Sequence, residues 1–226
     1  MKFKNIQADY HGKIVLRGLS GRIEPQQITM LLGQNGAGKS TLMEVLSGLK
    51  KARGEYDRAE SMIYLPQKNE IFDYLKVEDL LAMGKKSSKY STDISLINTD
   101  LDLNDLLNRE VLSLSSGQQQ RVWLAYTLLQ DKDIALLDEP LAFLDLKYQQ
   151  RLLNLLVKLK EEFGKTFLLS IHDPIIARSF ADVVWLLDST GLMVGKPEKL
   201  LTRSKVNEFF ELVDYKFNPN YLQFKT

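Results

Sequence analysis

The segment Gly33-Gln34-Asn35-Gly36-Ala37-Gly38-Lys39-Ser40-Thr41 sets three glycines ahead of one amine and two hydroxyls. The pattern, G-x-x-x-x-G-K-[ST], is suited to a polyphosphate. Gly33, Gly36 and Gly38, with Asn35 among them, let the backbone curl into a concave nest of N–H groups. A helix opening at Lys39 turns its positive end toward the same anion. With a nucleoside triphosphate in place, Lys39 is expected to contact the β- and γ-phosphates, and Ser40, followed by Thr41, to offer a hydroxyl to Mg²⁺. The competing reading is a Gly-rich strand-to-helix turn with no ligand. The apolar run Ile28–Leu32 before the loop and the helical pattern after it favour the phosphate site.

A second constellation lies at the end of Ile134-Ala135-Leu136-Leu137, where Asp138-Glu139-Pro140 follows. In a parallel sheet both carboxylates would stand at the strand's carboxyl end, beside the crevice where nucleotides bind. Asp138 can then bind Mg²⁺ through water, and Glu139 can accept a proton from, or orient, the water attacking a γ-phosphate. The alternative, that both acids only favour the start of a helix, weakens once a phosphate loop is present in the same chain.

These residues need a sheet to present them. Ile28–Leu32, Met62–Leu65, Ile134–Asp138, Thr166–Ile171 and Val183–Leu187 are too apolar for strands with one wet face and read as buried, largely parallel strands. Helical patterns fall between them at Lys39–Leu49, Gln118–Gln130, Leu146–Phe163 and Pro174–Ala181, which makes the class α/β with helices on both faces of the sheet. Alternation between Phe3 and Ile23 suits an accessory antiparallel sheet. From Lys68 to Leu114 no strand-like run occurs, and short helical pieces are expected at Val77–Met83 and Asp102–Leu107, with Lys85–Lys89 as a solvated loop.

Composition narrows the class further. The chain has 226 residues, 44% hydrophobic and 26% charged, as in a folded globular protein. A formal charge of +1 argues against a polyanionic partner, so no nucleic acid is expected. Zero cysteines exclude disulfides and Cys-ligated metals, and two histidines leave little room for a His-rich metal site. Neither a signal peptide nor a membrane-spanning run is evident, so the chain is expected to be cytoplasmic and any membrane component to come from another polypeptide.

Leu114-Ser115-Ser116-Gly117-Gln118-Gln119-Gln120-Arg121 resembles the signature motif of the ABC-type ATPases. Read from the residues alone, Ser115-x-x-Gln118 or Ser116-x-x-Gln119 would each make a capping box. The resemblance adds that Ser115, Gly117 and Gln118 act in trans on ATP held by the opposite subunit. By the same resemblance Tyr10 stacks on adenine, with an isolated strand tyrosine as the alternative. Gln67 resembles the Q-loop glutamine that reaches Mg²⁺ or the attacking water, Asp145 the D-loop aspartate at the dimer interface, and His172 the switch histidine at the γ-phosphate. Asp145 is also a candidate N-cap for Leu146–Phe163.

Three positions depart from the family pattern. Ser116 replaces a glycine, which would cost about 1–2 kcal/mol if positive φ were needed there. A short connection between Gly54 and Gln67 suggests a trimmed accessory sheet. Leu141-Ala142-Phe143 replaces small polar residues at the start of the D-loop.

The resemblance implies one P-loop NTPase domain of ABC type over residues 1–226, with residues 1–67 and 131–226 as nucleotide-binding core and 68–130 as a helical insertion. The implied cofactors are ATP and Mg²⁺. The implied assembly is a head-to-tail dimer of the chain with an integral membrane permease, and with a periplasmic or lipoprotein solute-binding protein, peripheral on the cytoplasmic face of the plasma membrane. The implied function is an ATPase energising the permease. Asp145–Leu153 and the tail from Gly195 to Leu212 resemble the bacterial importers of iron-siderophores, haem and cobalamin. A metal or oxyanion importer, an exporter, and a soluble ABC ATPase acting on nucleic acid or ribosomes remain as alternatives.

Overall fold

The computed structural model describes residues 1–10, 12–57, 61–69, 74–86 and 94–212, with the side chains of Tyr10, Ile94 and Ser95 outside that description. A six-stranded sheet carries the site. Its strands are β3 (Ile28–Leu32), β5 (Met62–Leu65), β6 (Ile134–Asp138), β7 (Thr166–Ser170), β8 (Val183–Leu187) and β9 (Leu192–Gly195), in the order β5-β6-β7-β3-β8-β9. All neighbours are parallel except β9, an antiparallel edge strand that the sequence reading does not anticipate. Beside it, β1 (Lys2–Tyr10), β2 (Lys13–Arg22) and β4 (Arg53–Tyr56) form the accessory antiparallel sheet in the order β2-β1-β4.

Continuous apolar sequence in β3 and β7 is explained by burial of every residue in both strands. Period-two alternation sends their side chains to two cores. Met30, Leu137, Phe167 and Leu169 join the core containing the helical insertion, while Leu31, Leu136 and Leu168 join the one beneath the accessory sheet. Phe3 meets Trp185 edge to face at 5.5 Å, tying the two sheets together.

Helix α1 (Lys39–Ser47) follows the phosphate loop and stops short of Leu49 because Gly48 takes φ 83° and its N–H caps the Val45 carbonyl. Downstream, α2 (Val77–Lys86), α3 (Ile94–Asp100) and α4 (Ser116–Leu129) build the insertion. Lys85 and Lys86 end α2 as helix rather than loop, where cations favour the carboxyl end; Lys89 lies outside the described residues. Asp102–Leu107 is not an α-helix. Asp102 sits at φ 53°, and only a 3₁₀ turn forms at Asn104–Leu106. Leu80, Leu101 and Leu106 of the insertion share one buried cluster with Leu137, Leu156 and Leu169 of the core, so the two regions pack continuously.

Arg121 on α4 fixes that packing at a point. Its buried guanidinium donates to the Leu101 and Asp102 carbonyls, both at 2.7 Å, and lies 4.0 Å over the Tyr148 ring. Tyr148 belongs to α5 (Leu146–Phe163), and its hydroxyl donates to Asp102 Oδ2 at 2.7 Å. That bond, aided by Arg121 against a small cost of burial, holds the Asp102 carboxyl below the usual carboxylate range. The remaining helices, α6 (Pro174–Phe180), α7 (Pro197–Leu200) and α8 (Arg203–Phe209), cover the other edge; Thr202 caps α8 by accepting the Lys205 N–H.

Of the two possible capping registers at α4, Ser115 and Gln118 form the reciprocal box. Ser115 Oγ accepts the Gln118 N–H at 3.4 Å, and Gln118 Oε1 accepts the Ser115 N–H at 3.0 Å. Ser116 is therefore the first helical residue and is not among those with positive φ, so the feared strain is absent. Gly117 is the constrained position, because a Cβ there would lie 2.7 Å from the Phe143 carbonyl oxygen.

Two stability predictions result. Arg121→Ala should cost about 2 kcal/mol or more in chemical denaturation, since it strips a charged donor from the buried Leu101 carbonyl and the part-buried Asp102 carbonyl; a loss under about 0.5 kcal/mol would contradict the role of this contact. Gly117→Ala should cost about 1–3 kcal/mol through overpacking against Phe143, whereas Ser116→Gly should cost no more than about 1 kcal/mol. A clear gain in stability from Ser116→Gly would show that Ser116 is strained after all.

Candidate functional site

Four adjacent strands deliver the chemistry at their carboxyl ends. β5 leads to Gln67, β6 ends at Asp138 and leads to Glu139, β7 leads to His172, and β3 leads into Gly33–Thr41. Parallel register levels these ends, with Leu65 opposite Leu137, Asp138 opposite Ser170 and Leu31 opposite Ser170. Residues far apart in sequence thus converge, as the rule for open α/β sheets requires.

In the phosphate loop Gly38 takes φ 99°, a conformation that L side chains rarely adopt, and a Cβ there would meet Leu16 Cδ2 at 2.9 Å. Lys39 Nζ folds back to donate to the Gly33 carbonyl at 2.8 Å and the Gln34 carbonyl at 3.2 Å. Burial pushes the Lys39 ammonium down from the ordinary lysine range, while Glu139 and Asp138 act in the opposite direction. Ser40 and Thr41 stand with Asn35, Gly36 and Gly38 in the wall of a cleft of about 870 Å³.

Glu139 and His172 project into the same cleft, as does Gln67. Gln67 Nε2 donates to Glu139 Oε2 at 2.7 Å, and His172 Nε2 lies 2.8 Å from Glu139 Oε1. Each carboxylate oxygen therefore has a partner. Glu139 also adopts φ 49°, an uncommon conformation for a residue with a side chain. Its N–H donates to Ser170 Oγ at 2.8 Å, which anchors the turn.

Asp138 is buried beneath Glu139 and accepts hydrogen bonds from Tyr64 and Ser170. Burial and then the Asp138 charge push the Tyr64 phenol above the usual tyrosine range, keeping it a donor. Sequence reasoning passed over both hydroxyls. The available signals were a serine closing an otherwise apolar buried strand and a tyrosine inside β5. Lys13, Val15 and Arg17 on β2 also line the cleft without having been singled out.

Ser115, Gly117 and Gln118 are not among the residues lining that cleft. They form the start of α4, whose free N–H groups favour an anion. Asp145 is the N-cap of α5, accepting the Tyr148 N–H at 3.0 Å. Tyr10 ends β1 opposite Lys13, but its side chain lies outside the described residues.

The chain matches the ABC transporter family model over residues 16–142. It is 34% identical to the petrobactin import ATP-binding protein YclP of Bacillus subtilis, over 94% of this chain and 93% of that one. Identity is 31% to the achromobactin transport ATP-binding protein CbrD of Dickeya dadantii, over 92% and 87%. Among solved structures, an inward-facing metal-chelate type ABC transporter superposes with a TM-score of 0.79 at 28% identity, covering 93% of this chain and 88% of the other. A dimeric bacterial ABC transporter cassette gives a TM-score of 0.74 at 25% identity, covering 87% and 98%. By that family match and these relatives, the chain belongs to the ABC transporter family as an ATP-binding, ATP-hydrolysing subunit.

Proposed function

We propose that the cleft holds MgATP and that Glu139 orients, and takes a proton from, the water that attacks the γ-phosphate. The observation that carries this reading is the pair of contacts from Gln67 and His172 to the two oxygens of Glu139. Gly33, Asn35, Gly36, Gly38, Lys39, Ser40 and Thr41 take the triphosphate, with Tyr10 assigned to the adenine ring. Ser40, Asp138 and Gln67 suit Mg²⁺, because hydroxyl, carboxylate and amide oxygens are hard donors. Gln67 spends its nitrogen on Glu139, which leaves its carbonyl oxygen for a cation. When bound, Mg²⁺ neutralises charge on the phosphoryl group being transferred.

Lys39 is folded onto its own loop and Glu139 is held on both sides. Productive binding must draw Lys39 to the phosphates, Gln67 toward the cation and His172 toward the γ-phosphate. Because Gln67 leads into the insertion, residues 68–130, that displacement carries the state of the nucleotide outward.

A single chain is half of the device in this reading. Ser115, Gly117 and Gln118 complete the site of a second copy, in a head-to-tail dimer with two ATP and Asp145 at the interface. The dimer drives a membrane permease docked beside Gln67 and the insertion, on the cytoplasmic face; among the described residues no helix is long and apolar enough to cross a membrane. A petrobactin import protein and an achromobactin transport protein among the relatives, and a metal-chelate type transporter among the structures, support import of an iron chelate, with haem and cobalamin as the other cargoes the sequence resemblance implies. A solute-binding protein would deliver that cargo to the permease.

Glu139→Gln should reduce ATP turnover by about 100-fold or more while ATP binding persists and an ATP-bound dimer accumulates in size-exclusion chromatography. Unchanged turnover would remove Glu139 from its role. Lys39→Ala should abolish ATP-dependent dimerisation, measured the same way; a variant that still dimerises with ATP would overturn the assignment of the phosphate loop.

A further inference from the structure

Asp138 has 2% exposure and lies deeper than any other acid of the site. A buried carboxylate must find its hydrogen-bond donors inside the protein. Two hydroxyls supply them. Tyr64 on β5 donates to Oδ2 at 3.2 Å, and Ser170 on β7 donates to Oδ1, so each neighbouring strand supplies one donor to one oxygen.

Ser170 has a second task. It is fully buried at 0% exposure, and while its proton goes to Asp138 its oxygen accepts the Glu139 N–H. One hydroxyl therefore links the Asp138 carboxylate to the backbone of Glu139 at the point where φ becomes positive. Packing alone would favour an apolar residue here, since the other residues of β7 are buried and mostly apolar.

We infer that Tyr64 and Ser170 are positioning residues for the cation site: together they fix the plane of the Asp138 carboxylate, and Ser170 ties the metal-holding acid to the water-orienting acid. The inference rests on the proposed role of Asp138 toward Mg²⁺. Both hydroxyls act through Asp138 and need not touch nucleotide. Removing either leaves the phosphate loop intact but lets the carboxylate turn, so the loss should appear in Mg²⁺ dependence before it appears in nucleotide binding itself.

The test compares full-length wild type, Tyr64→Phe and Ser170→Ala, reading binding of a fluorescent ATP analogue while Mg²⁺ is titrated, and separately in EDTA. The Mg²⁺ midpoint should rise about 10-fold in Ser170→Ala and about threefold in Tyr64→Phe, the scale expected when a partner of a metal-holding group is lost. Binding in EDTA should stay within about twofold of wild type. An unchanged midpoint in both folded variants would overturn the inference, and so would an equal loss with and without Mg²⁺, which marks general damage. If Ser170→Ala does not fold, Tyr64→Phe decides by the same criteria. A wild-type protein whose binding ignores Mg²⁺ would instead remove Asp138 from its cation role, and this inference with it.

Discussion

Parallel register among β5, β6, β7 and β3 is the constraint on which the site depends. Each of these strands ends at the same level, and each hands over one part: Gln67, the pair Asp138 and Glu139, His172, and the phosphate loop. A slip of one residue in any strand would exchange its two buried faces, because Leu31 and Leu136 serve one core while Met30 and Leu137 serve the other. Core packing and the geometry of the site are thus enforced together. The apolar runs that make the strands cohere are also what aligns the polar residues beyond them.

On that frame the acids are held by a short chain of contacts rather than by general burial. Asp138 is gripped from both flanking strands, and Glu139 is turned outward through an uncommon backbone conformation and met by Gln67 and His172. Such a turn costs on the order of 1–3 kcal/mol, which Ser170 helps to offset by accepting the Glu139 N–H. Lys39 and Glu139 thus both have partners within the chain. In the proposed reading, phosphate and cation would replace those partners, and Gln67 would link that exchange to the insertion.

Much of this was legible in the amino-acid order, and the residues show why. Ile28–Leu32, Met62–Leu65, Ile134–Asp138 and Val183–Leu187 are strands at the bounds their apolar runs suggest, since strands buried on both faces cannot hide their composition. Short, half-exposed elements were not legible: β9 has no fully buried residue, and α3 is a seven-residue helix without a strong apolar stripe. Asp102–Leu107 reads as helical until Asp102 is drawn aside by Tyr148 and Arg121, partners that sequence spacing cannot supply. The phosphate loop and the acids were visible because their spacing is local. Tyr64 and Ser170 were not, because their importance lies in strand neighbours more than thirty residues away from Asp138.

Ser115, Gly117 and Gln118 crown α4 outside the cleft, and in the proposed dimer they serve the ATP of a second copy. The direct measurement is turnover after mixing two inactive variants, Lys39→Ala and Gly117→Asp, under conditions that permit exchange of partners. Action in trans predicts that the mixture recovers up to about a quarter of wild-type turnover, since a mixed two-fold pair keeps one site with an intact phosphate loop and an intact signature, and the ATP bound there joins chains that Lys39→Ala alone cannot join. A mixture no more active than its components would show that the signature residues do not act on the ATP of a second copy.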